Sequence, residues 1–134
     1  VLYENENPVE AVIREIREES GLAVEIVPTG PYLPIQYPSQ IIPPFTILIE
    51  DIRTHSENYH QHIDMIYLCR AVNNPKKLNS GWIWVSKKTL ENGTPLKRSD
   101  GHLIPPPEDV RVIAQLAFRI VEAHNNLGQS QKHT

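Results

Sequence analysis

The chain has 134 residues, of which 40% are hydrophobic and 22% charged, and its formal net charge is −3. This length suits a single domain with its own core, spanning residues 1–134. Lysine and arginine form no dense run, which argues against a nucleic-acid-binding surface. No apolar stretch approaches the ~20 residues that a membrane-spanning helix requires, so no membrane partner is expected. Cys69 is the only cysteine, which excludes a disulfide framework and favours a cytoplasmic location.

Residues 7–21 predict a helix whose start and end are both marked. Asn7 suits the N-cap, Pro8 the first helical position, and Glu10 the last position of a capping box. Gly21 suits the left-handed position that closes a helix. One side of this helix is apolar and is expected to face the core; its residues are Val9, Val12, Ile13 and Ile16.

Three glutamates, Glu15, Glu18 and Glu19, share another side of this helix. A helix turns by about 100° per residue, so they fall within roughly one 100° sector. Carboxylates this close repel one another, and magnesium binds a few carboxylates together with water and a substrate phosphate. The favoured interpretation is a metal-dependent enzyme acting on a phosphorylated substrate, and the alternative is a solvated acidic face. Arg14 lies four residues before Glu18 and can pair with it.

The spacing around these glutamates resembles the Nudix box, G-x5-E-x7-R-E-U-x-E-E-x-G-U, in which U is an aliphatic residue. Eight of the nine fixed positions match over 22 residues. The opening glycine of the box would lie one residue before Val1, so we expect the natural protein to have further residues there. Looser similarity to Nudix hydrolases continues through residues 60–69, 84–86 and 105–111. The eight matching residues are Glu6, Arg14, Glu15, Ile16, Glu18, Glu19, Gly21 and Leu22.

The resemblance implies a fold and an activity. The implied fold is α/β, a Nudix-type α/β/α sandwich with a mixed β-sheet between helices, and its N-terminal strands are missing from this sequence. The implied activity is metal-dependent hydrolysis of the pyrophosphate linkage in a nucleoside diphosphate joined to another moiety. ADP-ribose, nucleotide sugars, dinucleoside polyphosphates and nucleoside triphosphates are substrates of this small-molecule class. The resemblance is also compatible with a homodimer. A Nudix-like domain that has lost catalysis and only binds or senses a ligand is the alternative.

The resemblance also implies roles for individual residues. Arg14 orients a glutamate, while Glu15, Glu18 and Glu19 hold one or more Mg²⁺ or Mn²⁺ ions. The metal lowers the pKa of a bound water that attacks phosphorus. Either Glu19 or Glu15 is the general base, and the choice stays open. The expected catalytic residues are therefore Glu15, Glu19 and Arg14, and Glu6 is expected to have a structural or outer-shell role.

The middle of the chain predicts a strand, a loop and a second strand. Residues 22–27 alternate as in a strand, residues 31–44 are rich in proline and predict a long loop, and residues 45–51 predict a buried strand. Tyr37 in the loop is a candidate for stacking on a substrate base, and an ordered surface loop is the simpler alternative.

His60, His62 and Asp64 alternate, so on a strand they share one face. A transition-metal site is one interpretation of this pattern, and a pocket-lining or structural role is the favoured one. His60 and Asp64 therefore join Tyr37 as candidate substrate-binding residues.

The last third of the chain predicts a strand, a turn-rich connection and a helix. Residues 81–85 predict a short strand with Trp82 and Trp84 on one face, where core packing is favoured over a sandwich around a base. The apolar periodicity predicts a final helix from Glu108 to about Asn125. Residues 126–134 are polar and are expected to fray.

Overall fold

A computed structural model of the chain describes residues 2–53, 59–98 and 100–132, with no side chains described for residues 127–132. The contacts divide into two compact units, Val1–Lys77 and Leu78–Thr134. Each unit combines helix with short antiparallel strands. No helix in the described ranges is long and apolar enough to cross a membrane.

The described residues of the first unit form one helix and four strands. The elements are α1 (Pro8–Ser20), β1 (Val24–Ile26), β2 (Thr46–Arg53), β3 (Tyr59–Ile66) and β4 (Cys69–Ala71). β1 pairs antiparallel with β4, and β2 pairs antiparallel with β3. The proline-rich stretch between β1 and β2 contains neither helix nor strand, as the sequence predicts.

Both ends of α1 follow the prediction. The Asn7 side chain accepts a hydrogen bond from the backbone N–H of Glu10 at 2.9 Å. Gly21 has φ of 86° and donates its N–H to the carbonyl of Arg17. Ser20 is fully buried, and its hydroxyl donates to the carbonyl of Ile16 at 2.6 Å. These contacts fix the length of the helix and the direction in which its side chains point.

The end of α1 is tied to the β1–β4 pair by one asparagine. Asn73 accepts a hydrogen bond from the N–H of Ala23 and donates one to the carbonyl of Gly21. Among the described residues of this unit, the buried hydrophobic ones are Ala11 on the helix and Val27 and Leu68 at the end of the sheet. The small core therefore lies where α1 meets this sheet.

The β2–β3 hairpin places the alternating polar residues as predicted. Asp64, His62 and His60 oppose Leu48, Glu50 and Ile52, and so share one face. The other face carries two directly opposed apolar pairs whose side chains are exposed, namely Ile47 with Met65 and Ile49 with Ile63.

The second unit is dominated by its last helix. Its elements are α2 (Lys87–Glu91), β5 (Leu96–Lys97), β6 (Leu103–Ile104) and α3 (Glu108–Lys132), and β5 pairs antiparallel with β6. An ion pair of 2.7 Å between Lys87 Nζ and an Oε1 of Glu122 links the two helices. The backbone of α3 stays helical beyond the predicted end near Asn125.

The segment that carries both tryptophans differs from its prediction. The predicted strand at residues 81–85 is absent, and the predicted core packing of the tryptophans is wrong, since Trp82 is 44% and Trp84 66% exposed. No described strand pairs with this segment, so the indoles have no sheet face to pack against.

The described strands form three two-stranded antiparallel sheets. A single mixed sheet between helices, and a single domain over 1–134, stay predictions.

Candidate functional site

Arg14 is the centre of the charged network on α1. Its Nε donates to Oε2 of Glu6 at 2.8 Å, and its Nη2 donates to Oε1 of the same carboxylate at 3.0 Å. Two parallel bonds between a guanidinium and a carboxylate fix both groups in one geometry. The hydrogen bond from Arg14 holds the pKa of Glu6 below its usual range, and the same contact raises the pKa of Arg14.

Arg14 also reaches two of the glutamates predicted to hold metal. Its Nη1 lies 3.1 Å from Oε2 of Glu18, and its Nη2 lies 3.6 Å from Oε1 of Glu15. The predicted pairing of Arg14 with Glu18 is therefore present. Glu6 binds the Nε–Nη2 edge of the guanidinium, Glu18 accepts a hydrogen bond from Nη1, and Glu15 lies farther from Nη2. One cation therefore restrains three carboxylates.

Tyr3 completes this network, although the sequence reasoning did not single it out. The centre of its ring lies 3.7 Å from Cζ of Arg14. Its backbone N–H donates to Oε1 of Glu6 at 3.0 Å, and its carbonyl accepts from the N–H of Glu6. The sequence does show an aromatic residue in the segment just before the helix. Its spacing from Arg14 does not show that the ring lies on the face of the guanidinium.

A cleft of about 420 Å³ lies between α1 and β3 and carries two of the predicted site residues. Glu15 lines it from the helix and Asp64 from the strand. The remaining lining is apolar, apart from the Tyr67 hydroxyl, which is buried, has no hydrogen-bond partner among the described residues, and has its pKa raised by burial. The apolar and aromatic lining residues are Leu2, Pro8, Ala11, Val12, Ile63, Met65, Ile66 and Tyr67.

The other predicted site residues lie away from this cleft. Glu19 is exposed on α1, and Tyr37 is 87% exposed in the proline-rich loop. His60 is exposed beside His62, with 5.1 Å between their ring centroids. None of these three lines the cleft between α1 and β3. The structure thus brings together Arg14, Glu15 and Glu18, and places Asp64 on the same cleft as Glu15.

The carboxylates of α1 suit a hydrated ion better than a preformed cage. Among the described residues, no group of three or more His, Cys, Asp or Glu side chains converges in the way that a metal cage requires. Magnesium keeps several waters and takes only one or two carboxylates plus substrate phosphates. Glu18 is 57% exposed and Glu15 35% exposed, so both can reach such an ion from the surface. The donor set therefore fits Mg²⁺ or Mn²⁺ bound together with a phosphate.

A second cleft, of about 610 Å³, lies within the Leu78–Thr134 unit. Two cations, Lys97 and Arg98, line it, and neither makes a salt bridge with a residue that the structure describes. Gly81, with φ of 89°, borders it and leaves open space where a side chain would stand. Sequence reasoning missed this cleft because its walls come from three separate segments. The rest of its described lining is Ile83, Leu96, Ile104, Pro105, Pro106 and Pro107.

Comparison with known proteins connects the fold to one family. No protein-family model matches the chain, and no curated protein matches it. A crystal structure of a hydrolase of the NUDIX family from Clostridium perfringens is similar, with a TM-score of 0.55 and 27% sequence identity. The alignment covers 90% of this chain and 77% of that chain. This likeness supports a Nudix-type fold and suggests a hydrolase of that family.

Proposed function

We propose that the chain is a metal-dependent hydrolase that cleaves the pyrophosphate linkage of a nucleoside diphosphate joined to another moiety. The observation that carries the proposal is the restraint of Glu15 and Glu18 by one arginine on α1, beside a cleft that Glu15 lines. The resemblance to the Nudix box and the likeness to a NUDIX hydrolase support the same activity. The predicted substrate classes remain ADP-ribose, nucleotide sugars, dinucleoside polyphosphates and nucleoside triphosphates.

The residues of α1 would have two roles, binding the metal ion and accepting a proton from water. Glu15, Glu18 and Glu19 would hold Mg²⁺ or Mn²⁺, which supplies charge neutralisation on the diphosphate and an acidified water when bound. Arg14 restrains Glu15 and Glu18, because its guanidinium nitrogens lie 3.6 Å from Oε1 of Glu15 and 3.1 Å from Oε2 of Glu18. Glu19 or Glu15 would accept the proton of the attacking water.

Substrate contacts are proposed for residues outside the helix. Asp64 lies on the cleft that Glu15 lines, and can accept a hydrogen bond from a substrate N–H or O–H. His60 and Tyr37 are exposed and available to a bound ligand. In this proposal the residues of α1 catalyse the reaction, while the loops and cleft walls select the leaving group. Asp64, His60 and Tyr37 would therefore affect substrate specificity and not the type of reaction.

A substrate panel with charge-neutral variants tests the proposal. We expect the parent protein to release phosphate-containing products from at least one predicted substrate class, only when Mg²⁺ or Mn²⁺ is supplied. Glu15→Gln and Glu19→Gln keep the side-chain size and remove the charge, and the one that replaces the base should lower kcat by roughly 10²-fold or more. Product identification by chromatography and mass spectrometry gives both the substrate and the bond broken.

Glu50→Gln is the matched control, since Glu50 is an exposed glutamate on β2, outside α1 and the cleft. It should turn over substrate at the parent rate. A folded Glu15→Gln/Glu19→Gln protein that is as fast as the parent would refute the assignment of these carboxylates. Nucleotide binding by calorimetry without turnover of any panel member would instead identify the chain as a ligand-binding domain that has lost catalysis.

A further inference from the structure

We propose that Tyr3 is a positioning residue that holds the Arg14 guanidinium against the carboxylates of α1. The inference rests on the proposed function for its catalytic consequence, but its structural part stands on the contacts alone. The ring of Tyr3 covers Cζ of Arg14 at 3.7 Å, well inside the ~6 Å range of a cation–π contact.

The contact leaves every donor of the guanidinium available. Hydrogen bonds leave a guanidinium in its plane, whereas an aromatic ring covers its face. In the plane, Arg14 is already engaged with Glu6 and reaches Glu15 and Glu18. Tyr3 therefore restricts the rotation of Arg14 without competing for any carboxylate.

Tyr3 is itself held to the same network. Its N–H donates to the Glu6 carboxylate and its carbonyl accepts from the Glu6 N–H at 3.0 Å. Tyr3, Glu6 and Arg14 thus contact one another pairwise. These three contacts link the segment before α1 to the Arg14 guanidinium. That segment therefore helps to position Arg14 relative to Glu15 and Glu18.

The face contact adds a restraint on the exposed side of the network. The Arg14–Glu18 pair is an i,i+4 pair with Glu18 57% exposed, and exposed pairs of this kind restrain their partners weakly. Tyr3 is 57% exposed, so its ring adds little to the core. Its hydroxyl makes no hydrogen bond to a described residue, and the ring face alone carries the contact.

The test compares Tyr3→Leu with Tyr3→Phe, and uses Tyr32→Leu as the matched control because Tyr32 is another exposed tyrosine of the same unit. In the metal-free protein, the Arg14 Nε–Hε NMR signal should be shifted by the ring and slow to exchange with water. We expect Tyr3→Phe and Tyr32→Leu to keep this signal, and Tyr3→Leu to lose the ring shift and exchange faster.

The second readout is the response of the protein to magnesium. We expect Tyr3→Leu to stay folded and to raise the Mg²⁺ concentration that half-saturates the amide shifts of α1 by roughly two- to fivefold. Where turnover is measured, half-saturation of the rate should move by the same factor, and Tyr3→Phe should restore it. Tyr32→Leu also loses an exposed aromatic ring and should change neither the magnesium response nor the rate, so the comparison identifies lost positioning of Arg14.

The outcomes separate the two proposals. An unchanged Arg14 signal and magnesium response in folded Tyr3→Leu would overturn the role of Tyr3 while leaving the proposed hydrolase intact. A parent protein without turnover would remove the proposed hydrolase, and the Arg14 signal would still decide whether Tyr3 positions the guanidinium. A fall in melting temperature that Tyr3→Phe shares would assign Tyr3 to folding and also overturn the proposal.

Discussion

Glu6 is the most enclosed carboxylate of the Arg14 network, with a side chain only 12% exposed. The Nudix resemblance implies a structural or outer-shell role for it, and both of its oxygens accept hydrogen bonds from Arg14. A carboxylate that accepts charge-assisted hydrogen bonds is stabilised in its ionised form. The position of Arg14, and through it the restraint on Glu15 and Glu18, therefore depends on the ionisation of Glu6.

This dependence predicts how stability changes with pH. Because folding lowers the pKa of Glu6, the stability that this pair contributes is fully present above the ordinary glutamate pKa of about 4.3. It is lost as the pH falls through the lowered value. Arg14 stays charged across this window, since its pKa is raised. Glu6→Gln should therefore be less stable than the parent near neutral pH and lose less stability on acidification.

Thermal unfolding followed by circular dichroism from about pH 7 to about pH 3 measures this difference. Glu4→Gln is the control, because Glu4 is an exposed neighbour outside the described Arg14 contacts. It should keep the acid slope of the parent. A Glu6→Gln protein whose stability falls with acid as steeply as that of the parent would show that Glu6 does not carry the effect.

At the scale of the element, α1 is defined by groups encoded next to one another in the sequence. Its start is capped by Asn7, with Pro8 in the first turn, and its end by Ser20 and Gly21. Capping contacts join residues that are two to four positions apart, so local sequence suffices to specify them. The same periodicity puts Glu15, Glu18 and Glu19 on one sector. The bounds and caps of α1 could therefore be predicted from the local sequence alone.

The N-cap should matter to the whole site because α1 carries the proposed metal ligands. Asn7→Ala removes the acceptor for the Glu10 N–H and should lower the free energy of unfolding by about 1 kcal/mol. Asn7→Asp keeps an acceptor and should retain most of that stability. Urea denaturation at neutral pH measures both variants. Equal stability of Asn7→Ala and the parent would mean that the end of α1 is held by its tertiary contacts.

At the scale of the whole molecule, much apolar surface of the described chain faces solvent. The β2–β3 hairpin carries the clearest example, with Ile49 65% and Ile63 69% exposed and directly opposed. An exposed apolar face on a short sheet promotes non-specific association.

A pair of opposite charges in place of Ile49 and Ile63 should therefore raise the solubility of the protein. Ile49→Lys/Ile63→Glu replaces the opposed isoleucines by opposite charges, which are compatible with a cross-strand pair. We expect weaker fluorescence of an apolar dye such as anilinonaphthalene sulfonate, and higher solubility, at little cost in melting temperature. Leu33→Lys/Ile35→Glu, in the exposed proline-rich loop, is the control and should change dye binding less. Undiminished dye fluorescence in the hairpin variant would place the dye-binding surface elsewhere.

The sequence by itself determined the features that depend on near neighbours. It specified α1 and its caps, the glutamate sector, the Arg14–Glu18 pair, the proline-rich loop, and the shared face of His60, His62 and Asp64. Each follows from a fixed periodicity or from contacts within a few residues, and the Nudix resemblance added a function to that local pattern.

Only the tertiary structure decided which distant residues meet. It placed Asp64 on the cleft of Glu15, laid Tyr3 on Arg14, and left both tryptophans exposed. The reason is physical: contacts between separate elements depend on how those elements pack, and side-chain periodicity fixes the face a residue occupies but not what that face touches.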